Sequence, residues 1–332
     1  MLVVMEKSAK KENIEKVCKI IEAMGYKSHK IPGPSRTVVC VTGNDKKIYP
    51  EKILTIEGVK EIVHVSKPYK LVSREVKPDD TVIKLKNTSI GSNKISIIAG
   101  PCAVESREQI FEIAEELSKR DVKILRGGAY KPRTSPYSFQ GLGEKGLEYL
   151  ALAGEKFNLS IISEVLDTET FSIIENYVDI IQIGSRNMQN FSLLKKAGKS
   201  NKPIFLKRGF SSTLNEFLLA AEYIISEGNP NVILCERGIR TFSNETRFTL
   251  DISAIPILKK MTHLPIIVDP SHSAGIRDLV EPLSKAGIAA GADGLMIEVH
   301  TNPDAALSDS AQTISIESFD KLLSKINVIK TL

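Results

Sequence analysis

The 332-residue chain carries 45 Lys and Arg against 40 Asp and Glu, a net charge of +5, with 42% apolar and 26% charged residues. That is a globular composition, and the length fits one large domain with a small one rather than a single ordinary core. The basic residues are scattered among acids, which argues against a nucleic-acid partner, and no apolar run reaches the ~20 residues of a membrane span. Cys18, Cys40, Cys102 and Cys235 are widely spaced with no C-x-x-C pair, and "MLVVM" is too short for the apolar part of a secretory leader. A reduced, cytoplasmic protein with free thiols is expected.

Residues 1–66 predict the order β-α-β-β-α-β. "MLVVME" is a short strand. Ile14, Val17, Cys18, Ile21 and Met24 follow helical spacing, and Gly25 closes that helix. "YKSHKI" and "RTVVCVTG" predict strands around the turn "PGPS", "YPEKILTI" a short helix, and "VKEIVHV" the closing strand. This is the split βαβ, ferredoxin-like plan. His29, His64, Cys18 and Cys40 show no metal spacing and read as packing or surface residues. Residues 67–94 predict a linker, "SKPYKLVSREVKPDD", and a hairpin, "TVIKLKNTSIGSNK".

From residue 95 to 332 short β-rich runs alternate with helical patterns. The runs are "ISIIAG", "VKILRG", "SIISEV", "DIIQIG", "PIFLKRG", "VILCERG", "PIIVDP" and "GLMIEVH". Eight such units predict a closed (β/α)8 TIM barrel, with a doubly wound open sheet as the alternative. Ser106, with Gln109 three residues on, predicts a capping box for the first barrel helix.

Catalytic groups in such a barrel lie at the C-terminal strand ends. Those ends carry Cys102, Arg126, Glu164, Gln182, Lys207 with Arg208, Glu236 with Arg237, Asp269 with His272, and Glu298 with His300. All are expected at one mouth. Cys102, His272 and Glu298 follow strands one, seven and eight, which become neighbours on closure, and Asp309 in "ALSDSAQ" can add a fourth ligand. Singly, a Cys after proline reads as a small buried residue and a His beside serines as a helix cap. Together, sulfur, imidazole and carboxylate suit one divalent transition metal (Mn, Fe, Co, Zn or similar) acting as a Lewis acid. Arg126, Lys131, Arg133, Arg186, Lys207 and Arg237 outnumber the acids left over, so phosphorylated or carboxylated substrates are expected. In "KPRTS", Arg133, Thr134 and Ser135 offer a fork and two hydroxyls to a phosphate. Arg208 is expected to pair with an acid.

The motifs "GPCAVES", "LRGGAYKPRTSPYSFQGLG", "QIGSRNMQN", "LKRG", "ILCERG", "VDPSHS" and "IEVH" resemble 3-deoxy-D-arabino-heptulosonate 7-phosphate (DAHP) synthase from about residue 95 onward. The N-terminal segment resembles the ferredoxin-like regulatory domain of one type I subfamily. The related 3-deoxy-octulosonate 8-phosphate synthase carries a different motif in place of "KPRTS". The resemblance implies a transferase that joins phosphoenolpyruvate to D-erythrose 4-phosphate at the head of the shikimate pathway, upstream of chorismate and the aromatic amino acids. By resemblance Cys102, His272, Glu298 and Asp309 are metal ligands. Arg126, Lys131, Lys207 and Arg237 hold phosphoenolpyruvate, and Arg133, Thr134, Ser135 and Arg186 hold the phosphate of erythrose 4-phosphate. The mechanism it implies makes Lys131 the general acid, and Glu164 or a water on the metal the partner in the other proton transfer. It also implies a homotetramer and inhibition by tyrosine or phenylalanine through residues 1–66. Two rival readings remain at this level: a Schiff-base aldolase using Lys207, and a ferredoxin-like sensor on a barrel without activity.

Overall fold

The computed structural model describes residues 1–32, 37–43, 51–63, 67–133 and 135–329. The predicted "PGPS" turn beyond Pro32, Tyr49 and Pro50 of the second predicted helix, residues 64–66 with His64, and Thr134 lie outside the described residues. Two compact units are present. One comprises Met1–Asp80 with Met261–His263, the other Thr81–Lys260 with Leu264–Leu332.

The first unit contains β1 (Leu2–Met5), α1 (Lys11–Ala23), β2 (Lys27–Pro32), β3 (Thr37–Thr42), α2 (Glu51–Leu54) and β4 (Val59–Val63). Its sheet runs β2-β3-β1-β4 with antiparallel neighbours, the ferredoxin-like order. Val17, Cys18 and Ile21 of α1 pack on Val3, Met5, Val39 and Val41 of the sheet, so the helical and two-residue periods meet in one core. The end of α1 is a Schellman motif. Gly25, at φ +84°, donates its N–H to Glu22 and Tyr26 donates to Ile21, and the left-handed backbone there favours glycine. His29 bonds Thr42 Oγ1 at 2.8 Å, and Cys18 and Cys40 are buried.

The second unit opens with the hairpin β5 (Ile83–Lys84) and β6 (Ser89–Ile90). Eight parallel strands follow: β7 (Ser96–Gly100), β8 (Ile124–Arg126), β9 (Ser160–Val165), β10 (Ile180–Ile183), β11 (Ile204–Lys207), β12 (Val232–Glu236), β13 (Ile266–Val268) and β14 (Gly294–Glu298). Pairing of β14 with β7, where Glu298 faces Gly100, closes the barrel. The helices between strands are α3 (Arg107–Ser118), α4 (Glu144–Lys156), α5 (Phe171–Tyr177), α6 (Phe191–Gly198), α7 (Leu214–Ser226), α8 (Ala254–Met261), α9 (Pro270–Ala274) and α10 (Val280–Ala289), and α11 (Ile316–Ile329) follows the last strand. Ser106 caps α3 by accepting from Gln109 N at 3.0 Å. The return bond of the expected box reaches one residue further back, because Gln109 Oε1 accepts from Glu105 N.

Inside the barrel Ile98, Ile124, Ile162, Ile180, Phe205, Ile233, Ile267 and Met296 form one dry layer. Ile83 and Ile90 of the hairpin join it, and Ser96 at the start of β7 bonds the Ser89 carbonyl. The hairpin therefore plugs the N-terminal end and leaves the C-terminal end open.

Candidate active site and metal centre

Side chains alternate along a strand, so the residue two beyond each member of the dry layer also points inward. That step reaches Arg126, Glu164, Gln182, Lys207, Asp269 and Glu298. Six strands thus switch from apolar to polar at one height, and the polar layer floors a cavity of about 310 Å³ at the mouth. Lys131, Arg133, Ser135, Glu164, Arg186, Lys207, Arg237, His272 and Asp309 are among its lining residues.

One candidate ligand atom from each of Cys102, His272, Glu298 and Asp309 lies within 4.8 Å of the other three. Cys102 Sγ is 3.0 Å from Asp309 Oδ2, and His272 Nε2 is 3.1 Å from Glu298 Oε1 and 3.9 Å from Asp309 Oδ2. Donors at ~2.0–2.3 Å from a tetrahedral ion stand ~3.3–3.8 Å apart, so this set fits one transition metal after small movements. The outer contacts favour the same use. Asp269 Oδ1 caps α9 at His272 N, while its Oδ2 holds His272 Nδ1 at 2.7 Å and Lys207 Nζ at 2.6 Å. The ring is thereby turned so that Nε2 faces the other donors. Glu298 is fixed by Arg126 at 3.0 Å and Gln312 at 2.7 Å. Asp309 sits at φ +56°, an unfavourable backbone for a non-glycine, held by Gln312 and Thr313 bonding to its carbonyl.

Burial opposes charge on His272, but Asp269 and then Glu298 outweigh it and hold the imidazolium up to about 10. In the metal-free chain this proton stabilises the fold fully below the ordinary 6.5, and the contribution is lost as pH rises through about 10. A metal at Nε2 must displace it. For Asp269 burial acts the other way from its cations, which win and hold the carboxyl well below its usual range.

Lys131 Nζ donates to Cys102 Sγ at 2.9 Å and to the Cys102 carbonyl at 3.0 Å. Burial lowers its pKa, but Cys102 and Glu164 outweigh that and keep it raised. Glu164 Oε2 accepts from Gln182 at 3.0 Å. Arg133 donates to Phe139 O at 2.9 Å and to Ser308 Oγ at 2.5 Å. Arg237 lies 4.2 Å from the centre of the Phe248 ring and 5.0 Å from that of Phe210, and Phe210 and Phe248 stack on each other. Its Nη1 is buried without a hydrogen-bond partner, and burial depresses its pKa. An unpartnered buried guanidinium nitrogen is costly, and an anion in the cavity would satisfy it.

The expectation of one shared mouth fails for Arg208 with Glu236 and for His300, while Arg186 does line the cavity. Arg208 and Glu236 fall on the outer side of their strands and pair with each other at 2.7 Å, as expected of Arg208, with the partly exposed Asp251 as a second acid at 3.0 Å. His300 lies beyond the end of β14, where Asn302 N–H bonds its Nδ1, and it does not line the cavity. Arg186 stacks 5.6 Å from the Phe210 centre, on the ring that Arg237 also covers. That groups it with Arg237 rather than with Arg133, because Phe210 after β11 joins the two loops. The tie of Lys207 to Asp269 occupies the amine that a Schiff-base aldolase needs free. Sequence reading missed Arg247, which lines the cavity 3.5 Å from Asp309, and Ser308, buried between Cys102 and Arg133. Both sit in irregular loops, where no period marks direction. The cluster of Thr246, Arg247 and Phe248 just after "ILCERG" is the one signal that could have pointed to Arg247.

Comparison with known proteins agrees with this geometry. The model of the DAHP synthetase I family matches residues 78–331, and that of the DAHP synthase ferredoxin-like domain matches residues 1–67. A phospho-2-dehydro-3-deoxyheptonate aldolase of Thermotoga maritima is 54% identical over 326 residues, 98% of this chain and 96% of that protein. A 2-dehydro-3-deoxyphosphooctonate aldolase of Desulfotalea psychrophila is 33% identical over 71% of this chain and 90% of that protein. The crystal structure of the Thermotoga maritima DAHP synthase superposes with a TM-score of 0.79 at 53% identity, covering 99% of this chain and 96% of that one. A truncated form of the Thermotoga maritima enzyme superposes at 0.74 with 54% identity, covering 79% of this chain and 96% of that one.

Because Asp269 neutralises two buried cations, Asp269→Asn should destabilise the chelator-treated protein by about 3 kcal/mol or more, read from urea unfolding. An unchanged midpoint would mean that Lys207 and His272 do not depend on that charge.

Proposed function

The chain belongs to the DAHP synthetase I family of 3-deoxy-7-phosphoheptulonate synthases, and from that premise we propose the reaction it catalyses. Phosphoenolpyruvate, D-erythrose 4-phosphate and water give 3-deoxy-D-arabino-heptulosonate 7-phosphate and inorganic phosphate, the first step of the shikimate pathway. The observation that carries this reading is a mixed sulfur, imidazole and carboxylate cluster that reaches, through His272 and Asp309, the cavity lined by Arg237 with its unpartnered Nη1. The "KPRTS" loop and the match to the ferredoxin-like domain favour the four-carbon aldose phosphate over the substrate of the octulosonate relatives.

Cys102, His272, Glu298 and Asp309 would hold one divalent transition metal, which supplies Lewis-acid polarisation of the aldehyde carbonyl. Arg186, Arg237 and Lys207 grip the phosphate of phosphoenolpyruvate, and Arg126 and Lys131 its carboxylate. Arg133 and the hydroxyls of Thr134 and Ser135 grip the phosphate of erythrose 4-phosphate. So held, C3 of phosphoenolpyruvate faces the aldehyde carbon and forms the new C–C bond. Lys131, kept charged by Cys102 and Glu164, gives its proton to the former aldehyde oxygen. Water adds at C2, where positive character develops, and Glu164 takes its proton. The resulting hemiketal phosphate breaks its C2–O bond to phosphate and leaves the ketone.

Residues 1–66 act as a regulatory domain that binds tyrosine or phenylalanine and favours a state in which the barrel mouth is less accessible. The support is the match to the ferredoxin-like domain and, among the described residues, the absence of a second cluster of metal-competent donors. The protein works as a homotetramer in the cytoplasm, with its four cysteines buried.

Phosphate release with both substrates present should stop on chelation and return with Mn, Fe, Co or Zn. Release that survives full metal removal would sink the metal reading. A chain beginning at Thr81, where the second unit starts, should keep this activity and lose inhibition by tyrosine or phenylalanine. Equal inhibition of both forms, or none in the full chain, would refute the regulatory role.

A further inference from the structure

Ser308 lies between Cys102 and Arg133, one residue from each of the two half-sites proposed above. Its hydroxyl is 3.1 Å from Cys102 Sγ, a candidate metal ligand, and 2.5 Å from Arg133 Nη2, the fork proposed for the aldose phosphate. The residue is 4% exposed, so water does not compete for either bond. The direction of the bonds follows from donor inventory. A guanidinium has no acceptor, so Arg133 donates and Ser308 Oγ accepts. The hydroxyl hydrogen is then left for sulfur. Once Cys102 is a thiolate, the form that binds metal, Ser308 is the donor in that contact. Lys131 supplies the second donor to the same sulfur.

The surrounding loop holds Ser308 in place from both sides. Glu105, three residues after Cys102, accepts from Leu307 N at 2.8 Å with Oε1. Asp309, the next residue, takes the left-handed backbone that sends its carboxylate to Cys102. Arg133 is tied at its other end to Phe139 O. A polarised chain Arg133–Ser308–Cys102 results, in which each bond strengthens the next.

We propose that Ser308 is a positioning residue that couples the metal-binding thiolate to the phosphate-binding arginine. This rests on the functional reading above and deepens it by linking the two half-sites through one hydroxyl. Loss of the hydroxyl should leave sulfur with one donor fewer, which raises the energy of its donor electrons. It should also leave Arg133 free to swing away from the phosphate position.

The test uses the full chain with Co(II) alone, then with both substrates. In Ser308→Ala the thiolate-to-cobalt charge-transfer band should move to longer wavelength. The KM for erythrose 4-phosphate should rise between about three- and tenfold, the scale of one net hydrogen bond, while that for phosphoenolpyruvate stays within about twofold. Ser308→Thr, which keeps the hydroxyl, should restore both. A band unmoved by Ser308→Ala, or equal rises in both KM values, would overturn the coupling while leaving the metal centre intact. Absence of any such band in the unaltered protein would remove the metal centre and the coupling together.

Discussion

One step of the strand pleat separates a dry layer of isoleucines, phenylalanine and methionine from a layer of buried ions, and the mouth of the barrel depends on how those ions neutralise one another. Asp269 serves His272 and Lys207 with one oxygen, and Glu298 serves His272 and Arg126 with one oxygen. Pairs this deep recover their desolvation cost only when geometry is good and the remaining lone pairs are filled. Gln312 on Glu298 and the α9 N-terminus on Asp269 fill them. The result is a rigid, charged floor that holds its donors before any ligand arrives.

Closure of the barrel gives this floor its composition. Only when β14 pairs with β7 do Glu298 and the segment leading to Cys102 become neighbours, and only the β13–β14 pairing brings His272 to the same side. The plug of Ile83 and Ile90 seals the opposite end, so the cavity opens in one direction. Chain order therefore scatters the donors over more than two hundred residues, while topology gathers them within 4.8 Å.

Much of this is legible in the chain because strands carry a strict period of two. The runs from "ISIIAG" to "GLMIEVH" mark the eight strands, and their ends mark Cys102, Arg126, Glu164, Lys207, His272 and Glu298. Legibility fails where parity must be known to the residue. Glu164 and Glu236 look alike at two strand ends, yet Glu164 lines the cavity while Glu236 faces outward to Arg208, whose expected pairing with an acid holds. It fails again in loops. The side of Arg186 is set by the Phe210 ring, and the roles of Arg247 and Ser308 by backbone turns that composition does not encode.

The metal centre built from β7, β13 and β14 is tested most directly by cobalt K-edge X-ray absorption on the loaded protein. One sulfur scatterer at ~2.3 Å with nitrogen and oxygen scatterers at ~2.0–2.2 Å is the expected shell, and the sulfur should vanish in Cys102→Ala. A shell of light atoms alone, or a sulfur that persists in Cys102→Ala, would contradict the assignment of this cluster as the metal site.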